Sequence, residues 1–164
     1  CDTEFRHDHL GENGGVYTAV ELADLIGSLW PVDISPFVLL TGGEPGLQLD
    51  DMLVDRLHSV LWAYVAVETN GSVALPLHLD WVTLSPKPPM PIVKQKYDEV
   101  KVLYPLVNPE KYRDDLEFST QHVIKWVQPV DCDSFITSDA CFAFLRDHPS
   151  WKISVQAHKL LGFP

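Results

Sequence analysis

Residues 37–71 read FVLLTGGEPGLQLDDMLVDRLHSVLWAYVAVETNG, and this stretch decides the fold. Phe37 to Leu40 is a short apolar run of the kind that forms a buried strand. It stops at Thr41-Gly42-Gly43-Glu44-Pro45, where glycine and proline break it. Leu49, Leu53, Leu57, Val60 and Leu61 then recur on one helical face, which predicts a helix over 48–62. Tyr64 to Val67 predicts a second strand, ending at Glu68-Thr69-Asn70-Gly71. A strand, a helix and a strand in close succession form the unit from which parallel sheets are built.

The same alternation extends in both directions. Upstream, residues 4–16 are polar and rich in glycine and read as a loop. Thr18-x-x-Glu21 is a capping box. It opens a helix carrying Leu22, Leu25, Ile26, Leu29 and Trp30, and Pro31 ends it. Downstream, Trp81 to Leu84 predicts a strand that ends at Ser85-Pro86-Lys87. Glu99 to Leu103 predicts another. Asn108-Pro109 reads as an N-cap with a first-turn proline and opens a short helix near 109–117. Val123 to Val127 predicts a strand ending at Gln128-Pro129. A helix near 138–147 stops before Pro149, and Ile153 to Gln156 suits a last strand. No internal repeat or low-complexity tract interrupts the series. The expectation is an α/β fold with a mostly parallel sheet, in one domain over residues 1–164. Four polar, glycine- or proline-containing motifs follow four separate strands. The carboxyl edge of a parallel sheet is where such folds bind ligands.

Composition narrows the functional classes. The 164 residues include 23 Asp and Glu against 12 Lys and Arg, a formal net charge of -11. That balance argues against nucleic acid, whose phosphates need clustered Lys and Arg, and against an anionic membrane surface. No apolar run approaches the roughly 20 residues that span a bilayer. A hydrophobic fraction of 46% with five Trp and seven Phe argues against disorder. Cys1, Cys132 and Cys141 are too few, and odd in number, for a disulfide framework, so a reducing cytoplasm is expected.

Each motif has a functional and a plain structural reading. In Gly42-Gly43-Glu44-Pro45, two residues without side chains let a ligand approach backbone N–H groups, and Glu44 can accept from a ligand ammonium. The same string also makes a tight strand-to-helix turn. Asn70-Gly71 alone is a turn signal. Ser85 and Lys87 can hold a carboxylate or ribose, or can simply begin a proline-rich connection through Pro86, Pro88, Pro89 and Pro91. Gln128 and Pro129 can present polar groups to a base, or terminate a strand. His7 and His9 around Asp8 read as an exposed loop ahead of a metal site. Cys132 and Cys141 match no zinc or cluster spacing. His158 reads as a core histidine, and the apolar tail from Leu160 through Leu161 and Phe163 to Pro164 reads as docked.

Together these pieces resemble a known family. Cys1-Asp2-Thr3 looks like the end of the radical S-adenosylmethionine cysteine motif. The GGEP string, Glu68-Thr69-Asn70-Gly71, Ser85-Pro86-Lys87 and Gln128-Pro129-Val130-Asp131 follow in family order. The ending Ser154-Val155-Gln156-Ala157-His158-Lys159-Leu160-Leu161-Gly162-Phe163-Pro164 is similar to that of the 7-carboxy-7-deazaguanine synthases. The resemblance implies a partial TIM-type barrel, a radical S-adenosylmethionine core. It also implies a lyase that converts 6-carboxy-5,6,7,8-tetrahydropterin to 7-carboxy-7-deazaguanine in queuosine biosynthesis. A [4Fe–4S] cluster, S-adenosylmethionine as source of a 5′-deoxyadenosyl radical, and Mg2+ are implied as cofactors.

Carried over residue by residue, Cys1 is a cluster ligand and the Thr3 hydroxyl a Mg2+ ligand. Thr41 and the terminal carboxylate of Pro164 contact the pterin. Gly43, Glu44, Ser85, Pro86, Lys87, Gln128, Pro129, Val130 and Asp131 line the adenosylmethionine site. A homodimer and an electron donor such as a flavodoxin are implied as partners. The family's two upstream cluster cysteines and first strand precede the position of Cys1, so the expectation is a chain lacking its N-terminal segment. The competing readings are another radical enzyme, such as a glycyl-radical activase, and a cluster-free ligand-binding module.

Overall fold

The computed structural model describes residues 15–109, 123–130, 135–157 and 161. Six strands follow in chain order in one sheet: β1 (Phe37–Leu40), β2 (Tyr64–Thr69), β3 (Trp81–Leu84), β4 (Glu99–Tyr104), β5 (Ile124–Pro129) and β6 (Trp151–Ile153). The sheet is open, so the expected partial barrel takes the form of an α/β sheet that does not close. Two compact units divide the chain, residues 1–68 with 75–81 and residues 69–74 with 82–164.

In the first unit, β1 and β2 pair in parallel, Phe37 opposite Tyr64 through Leu40 opposite Val67. Helix α1 (Ala19–Leu29) begins with the expected capping box. Thr18 Oγ1 accepts from the Glu21 N–H, and Glu21 Oε2 accepts from the Thr18 N–H at 2.8 Å. A single 3-10 turn (Pro45–Leu47) precedes α2 (Asp51–Leu61). The Asp50 carboxylate caps α2 by accepting from the Leu53 N–H at 2.8 Å. The helix closes at Trp62, whose φ of 55° places it in the left-handed region. α1 and α2 pack together. A Cβ on Gly27 would lie 2.9 Å from Leu61 Cδ2, so this glycine permits the close approach. Leu53, Val54 and Leu57 of α2 and Val65, Ala66 and Val67 of β2 are buried.

In the second unit, β3, β4, β5 and β6 pair in parallel, in that order. Helix α3 (Phe135–Asp147) packs on β4, β5 and β6. Phe144 carries that contact, with its ring 5.3 Å from Tyr104 and 5.7 Å, edge-on, from Trp151. Val100, Val102 and Val127 are fully buried.

Several boundaries differ from expectation. β1 is half exposed, because Phe37 and Leu39 lie on its open face and Phe37 stacks on Tyr64 at 5.5 Å. The helix expected over 48–62 spans 51–61, because the Asp50 carboxylate caps its start and Trp62 leaves it in the left-handed region. Glu68, Thr69, Gln128 and Pro129 belong to strands instead of following them; for Gln128 and Pro129 the ladder with β4 carries on to Leu103 and Tyr104. α3 begins at Phe135, earlier than 138, and β6 spans 151–153, where Lys125 and Val127 fix its register. Of the helix expected near 109–117, only Pro109 lies among the described residues.

Asp50→Ala leaves the Leu53 N–H without its side-chain acceptor and lowers stability by about 1 kcal/mol, measured by urea unfolding. Glu21 gives a pH signature. Its carboxyl is held below its usual value, first by the Thr18 backbone N–H and second by the Thr18 hydroxyl. The folded pKa lies below the unfolded one, so this stabilisation is complete above the ordinary glutamate range and fades as pH falls through the lowered value. The stability gap between wild type and Glu21→Gln therefore shrinks on acidification, read by thermal unfolding across an acid series.

Candidate functional site

In the first unit, the glycine loop after β1 opens onto a cavity of about 790 Å³. Thr41, Gly43 and Glu44 line it, with Leu40, Leu22 and Tyr17. These three sequence-predicted residues are therefore brought together. Gly42 has φ +116°, and a Cβ there would meet no atom within 4 Å. The glycine is required by backbone conformation, not by crowding. Glu44 has a structural task that the sequence only hinted at. It is the N-cap of the 3-10 turn, and its Oε1 accepts from the Gly46 N–H at 3.0 Å. The carboxylate thus fixes the turn that follows Gly43.

In the second unit, Thr69, Ser85, Pro86 and Gln128 are buried. The Ser85 N–H donates to the Thr69 carbonyl at 2.7 Å. Lys87 Nζ donates to Ser85 Oγ at 3.1 Å, so the Ser-Pro-Lys string is a linked polar group and Lys87 is not merely solvated. Asn70-Gly71 forms the expected turn. Asn70 Oδ1 accepts from the Ser72 N–H, and Thr69 Oγ1 accepts from the Gly71 N–H. Gly71 has φ +82°, and a Cβ would lie 2.6 Å from Leu84 Cδ1 and 3.1 Å from the Tyr97 hydroxyl. Tyr97 is itself buried and donates to the Val93 carbonyl at 2.9 Å.

Gln128 sits opposite Leu103 near the carboxyl end of β5. Its Oε1 accepts from Ser154 Oγ at 3.3 Å. Pro129 is the last residue of the same strand, and Val130 follows with its N–H on the Tyr104 carbonyl. Ser85-Pro86-Lys87 and Gln128-Pro129-Val130 thus both follow, or end, strands of one parallel set.

Beneath them runs a polar row that no sequence motif marks. Glu99 Oε1 accepts from Thr83 Oγ1 at 2.7 Å, and Glu99 Oε2 accepts from Trp126 Nε1 at 3.0 Å. Lys152 Nζ lies 5.3 Å from the Trp126 ring. The signal was present in the alternation of Glu99 and Lys101 with Val100 and Val102, which marks a strand with one polar face.

Cys1, Thr3, His7, Asp8, His9, Asp131, Cys132, His158 and Pro164 lie outside the described residues. Among the described residues, no group of three His, Cys, Asp or Glu side chains could hold a metal ion. Cys141 is buried and takes part in no disulfide.

Comparison with known proteins adds a second line. No protein-family model matches the chain. Curated relatives do. The chain is 38% identical to the 7-carboxy-7-deazaguanine synthase of Burkholderia multivorans, covering 100% of this chain and 77% of the relative. It is 41% identical to that of Bradyrhizobium diazoefficiens, covering 99% and 76%. It is 39% identical to that of Caulobacter vibrioides, covering 100% and 77%. Among solved structures, QueE from Escherichia coli shares the fold with a TM-score of 0.72 at 22% identity, covering 95% of this chain and 78% of that one.

The two positive-φ glycines separate by substitution. Gly71→Ala combines left-handed strain with a clash into Leu84 and lowers stability by about 2 kcal/mol or more. Gly42→Ala meets only open space and carries the backbone strain alone, about 1 kcal/mol. Denaturant midpoints of the two variants check the order.

Proposed function

Because the chain belongs to the 7-carboxy-7-deazaguanine synthase family, we propose that it contracts the ring of 6-carboxy-5,6,7,8-tetrahydropterin to 7-carboxy-7-deazaguanine with loss of ammonia, a step of queuosine biosynthesis. The observation that carries this reading is the likeness at 38% to 41% identity over essentially the whole chain. Residues 1–164 act in this reading as one radical S-adenosylmethionine domain.

The residues present suit the cofactor. S-adenosylmethionine carries an ammonium, a carboxylate, a ribose and a base, and so needs hydroxyl, amide and backbone partners in preference to a single charge. Gly43 offers unobstructed backbone beside the first unit's cavity. Ser85, Lys87 and Gln128 offer a hydroxyl, an ammonium and an amide at strand ends of the second unit. Pro86, Pro129, Val130 and Asp131 complete the proposed lining. When bound, a reduced [4Fe–4S] cluster and S-adenosylmethionine supply the radical that takes a hydrogen from the pterin. Cys1 would hold the cluster and the Thr3 hydroxyl would hold Mg2+, a hard cation that prefers oxygen.

The chain's own residues aim and enclose this chemistry. The Glu44 cap keeps the glycine loop in one shape, so the Gly43 backbone meets the methionyl amine without reorganisation. Thr41 orients the pterin at the rim of the same cavity. Leu22 and Leu40 give that cavity apolar walls, which limit water around a reactive intermediate. The Pro164 carboxylate would contact the substrate. A homodimer, a flavodoxin-like electron donor and a cytoplasmic setting belong to the same proposal. The buried Cys141 thiol suits a reducing compartment.

Anaerobic reconstitution of the complete protein with iron and sulfide should give a brown protein that turns over the carboxytetrahydropterin. Adenosylmethionine should be recovered intact, not consumed stoichiometrically. A colourless, inactive product would refute the assignment. Within an active preparation, Ser85→Ala raises the KM for adenosylmethionine about tenfold, the loss of one hydrogen bond to a polar ligand. The KM for the pterin stays unchanged.

A further inference from the structure

We propose that Glu99, Thr83 and Trp126 form a positioning clamp beneath the cofactor residues Ser85 and Gln128. This inference rests on the cofactor reading above. One carboxylate ties three neighbouring strands on a single sheet face. Glu99 is on β4, Thr83 lies opposite it on β3, and Trp126 is on β5 opposite Lys101. Each carboxylate oxygen has its own donor, Thr83 Oγ1 at 2.7 Å and Trp126 Nε1 at 3.0 Å.

The clamp lies one side-chain layer below the proposed site. Alternate residues of a strand share a face. Gln128 therefore follows Trp126 on the same face of β5, and Ser85 comes two residues after Thr83. Backbone pairing fixes how far each strand extends, but it does not fix side-chain rotamers at the strand ends. Those depend on what packs directly beneath them. The indole is the largest side chain of this row. It is held on one side by Glu99 and covered on another by the Lys152 ammonium, 5.3 Å from its ring. A locked indole gives Gln128 a fixed floor, and the Ser154 hydroxyl holds the Gln128 amide from β6. Thr83, anchored to the same carboxylate, steadies the strand from which Ser85-Pro86-Lys87 departs. Glu99 touches neither cofactor nor substrate in this arrangement. It acts through Trp126 and Thr83.

The probe is S-adenosylhomocysteine, titrated calorimetrically into the complete protein, so that binding is read without turnover. Trp126→Phe and Glu99→Leu each weaken binding about tenfold, as expected when a supporting hydrogen bond is lost. Because Glu99→Leu already removes the bond that Trp126→Phe breaks, the double variant is no more than about twofold weaker than the worse single variant. Glu99→Gln keeps an oxygen for the indole N–H and lets its amide donate to the Thr83 hydroxyl, so it restores affinity to within about threefold of wild type. Circular dichroism confirms that each variant is folded. Should Glu99→Leu fail to fold, Trp126→Phe and Glu99→Gln decide the matter. Folded variants that bind like wild type, or losses that multiply in the double variant, overturn the clamp. If the wild-type protein itself does not bind S-adenosylhomocysteine, the cofactor assignment fails and the clamp falls with it. Wild-type binding with indifferent variants defeats the clamp alone.

Discussion

The second unit depends on the parallel ladder between β4 and β5. It runs without a break from Glu99 opposite Ile124 to Tyr104 opposite Pro129. Because strand side chains alternate, this ladder sorts the sheet into two faces. Val100, Val102 and Tyr104 alternate with Glu99, Lys101 and Leu103, and the Tyr104 ring meets Phe144 of α3. The opposite face keeps the polar groups. A slip of one residue would turn Gln128 and Trp126 toward the helix and bring valines to the polar face. Burial of Val127 against α3 therefore also determines where Gln128 points.

The first unit reaches a comparable result by capping. Two carboxylates, Glu44 and Asp50, each accept from a backbone N–H at the start of a turn or helix. Ahead of Glu44 the chain leaves β1 and turns through Gly42 at φ +116°, and after Asp50 it enters α2. Such a loop would be loose if it depended on glycine alone, since glycine loses the most freedom on ordering. The caps restrict it. The cavity beside it is thus lined by backbone at Gly43 as well as by apolar side chains such as Leu22 and Leu40.

Much of this was legible in the sequence. The order of strands and helices followed from apolar runs broken by glycine and proline. The Thr18–Glu21 box was readable because capping chemistry is local. The motifs at strand ends were readable for the same reason. What escaped depended on partners distant in sequence. Nothing near Gln128 announces that β5 continues through it, because the ladder is completed by Leu103. The start of β6 at Trp151 is set by Lys125, not by the alternation of Trp151 to Gln156, which fits two registers. Phe37 and Leu39 read as core because they are apolar, yet strand position leaves them exposed. Glu99 read only as the first residue of a strand. Its role is visible only once Thr83 and Trp126 are beside it.

The energetics of that trio indicate what it is for. A hydrogen bond to a charged group contributes about 1.5–3 kcal/mol net, and a donor that loses its partner away from bulk water adds a desolvation cost; the Thr83 and Trp126 bonds to Glu99 are half-buried. Removing Glu99 alone is therefore damaging, since it strands the Trp126 indole N–H and the Thr83 hydroxyl together. Replacing all three with apolar groups of similar shape would be close to neutral. Stability by itself gives no reason to choose a carboxylate, a hydroxyl and an indole from three successive strands over a row of valines like that on the opposite face. What the polar trio adds is direction: two hydrogen bonds fix the orientation of a ring and a strand end, where apolar contacts would leave several packings of similar energy. Fixed orientation matters most directly below Ser85 and Gln128, the residues proposed to meet the cofactor.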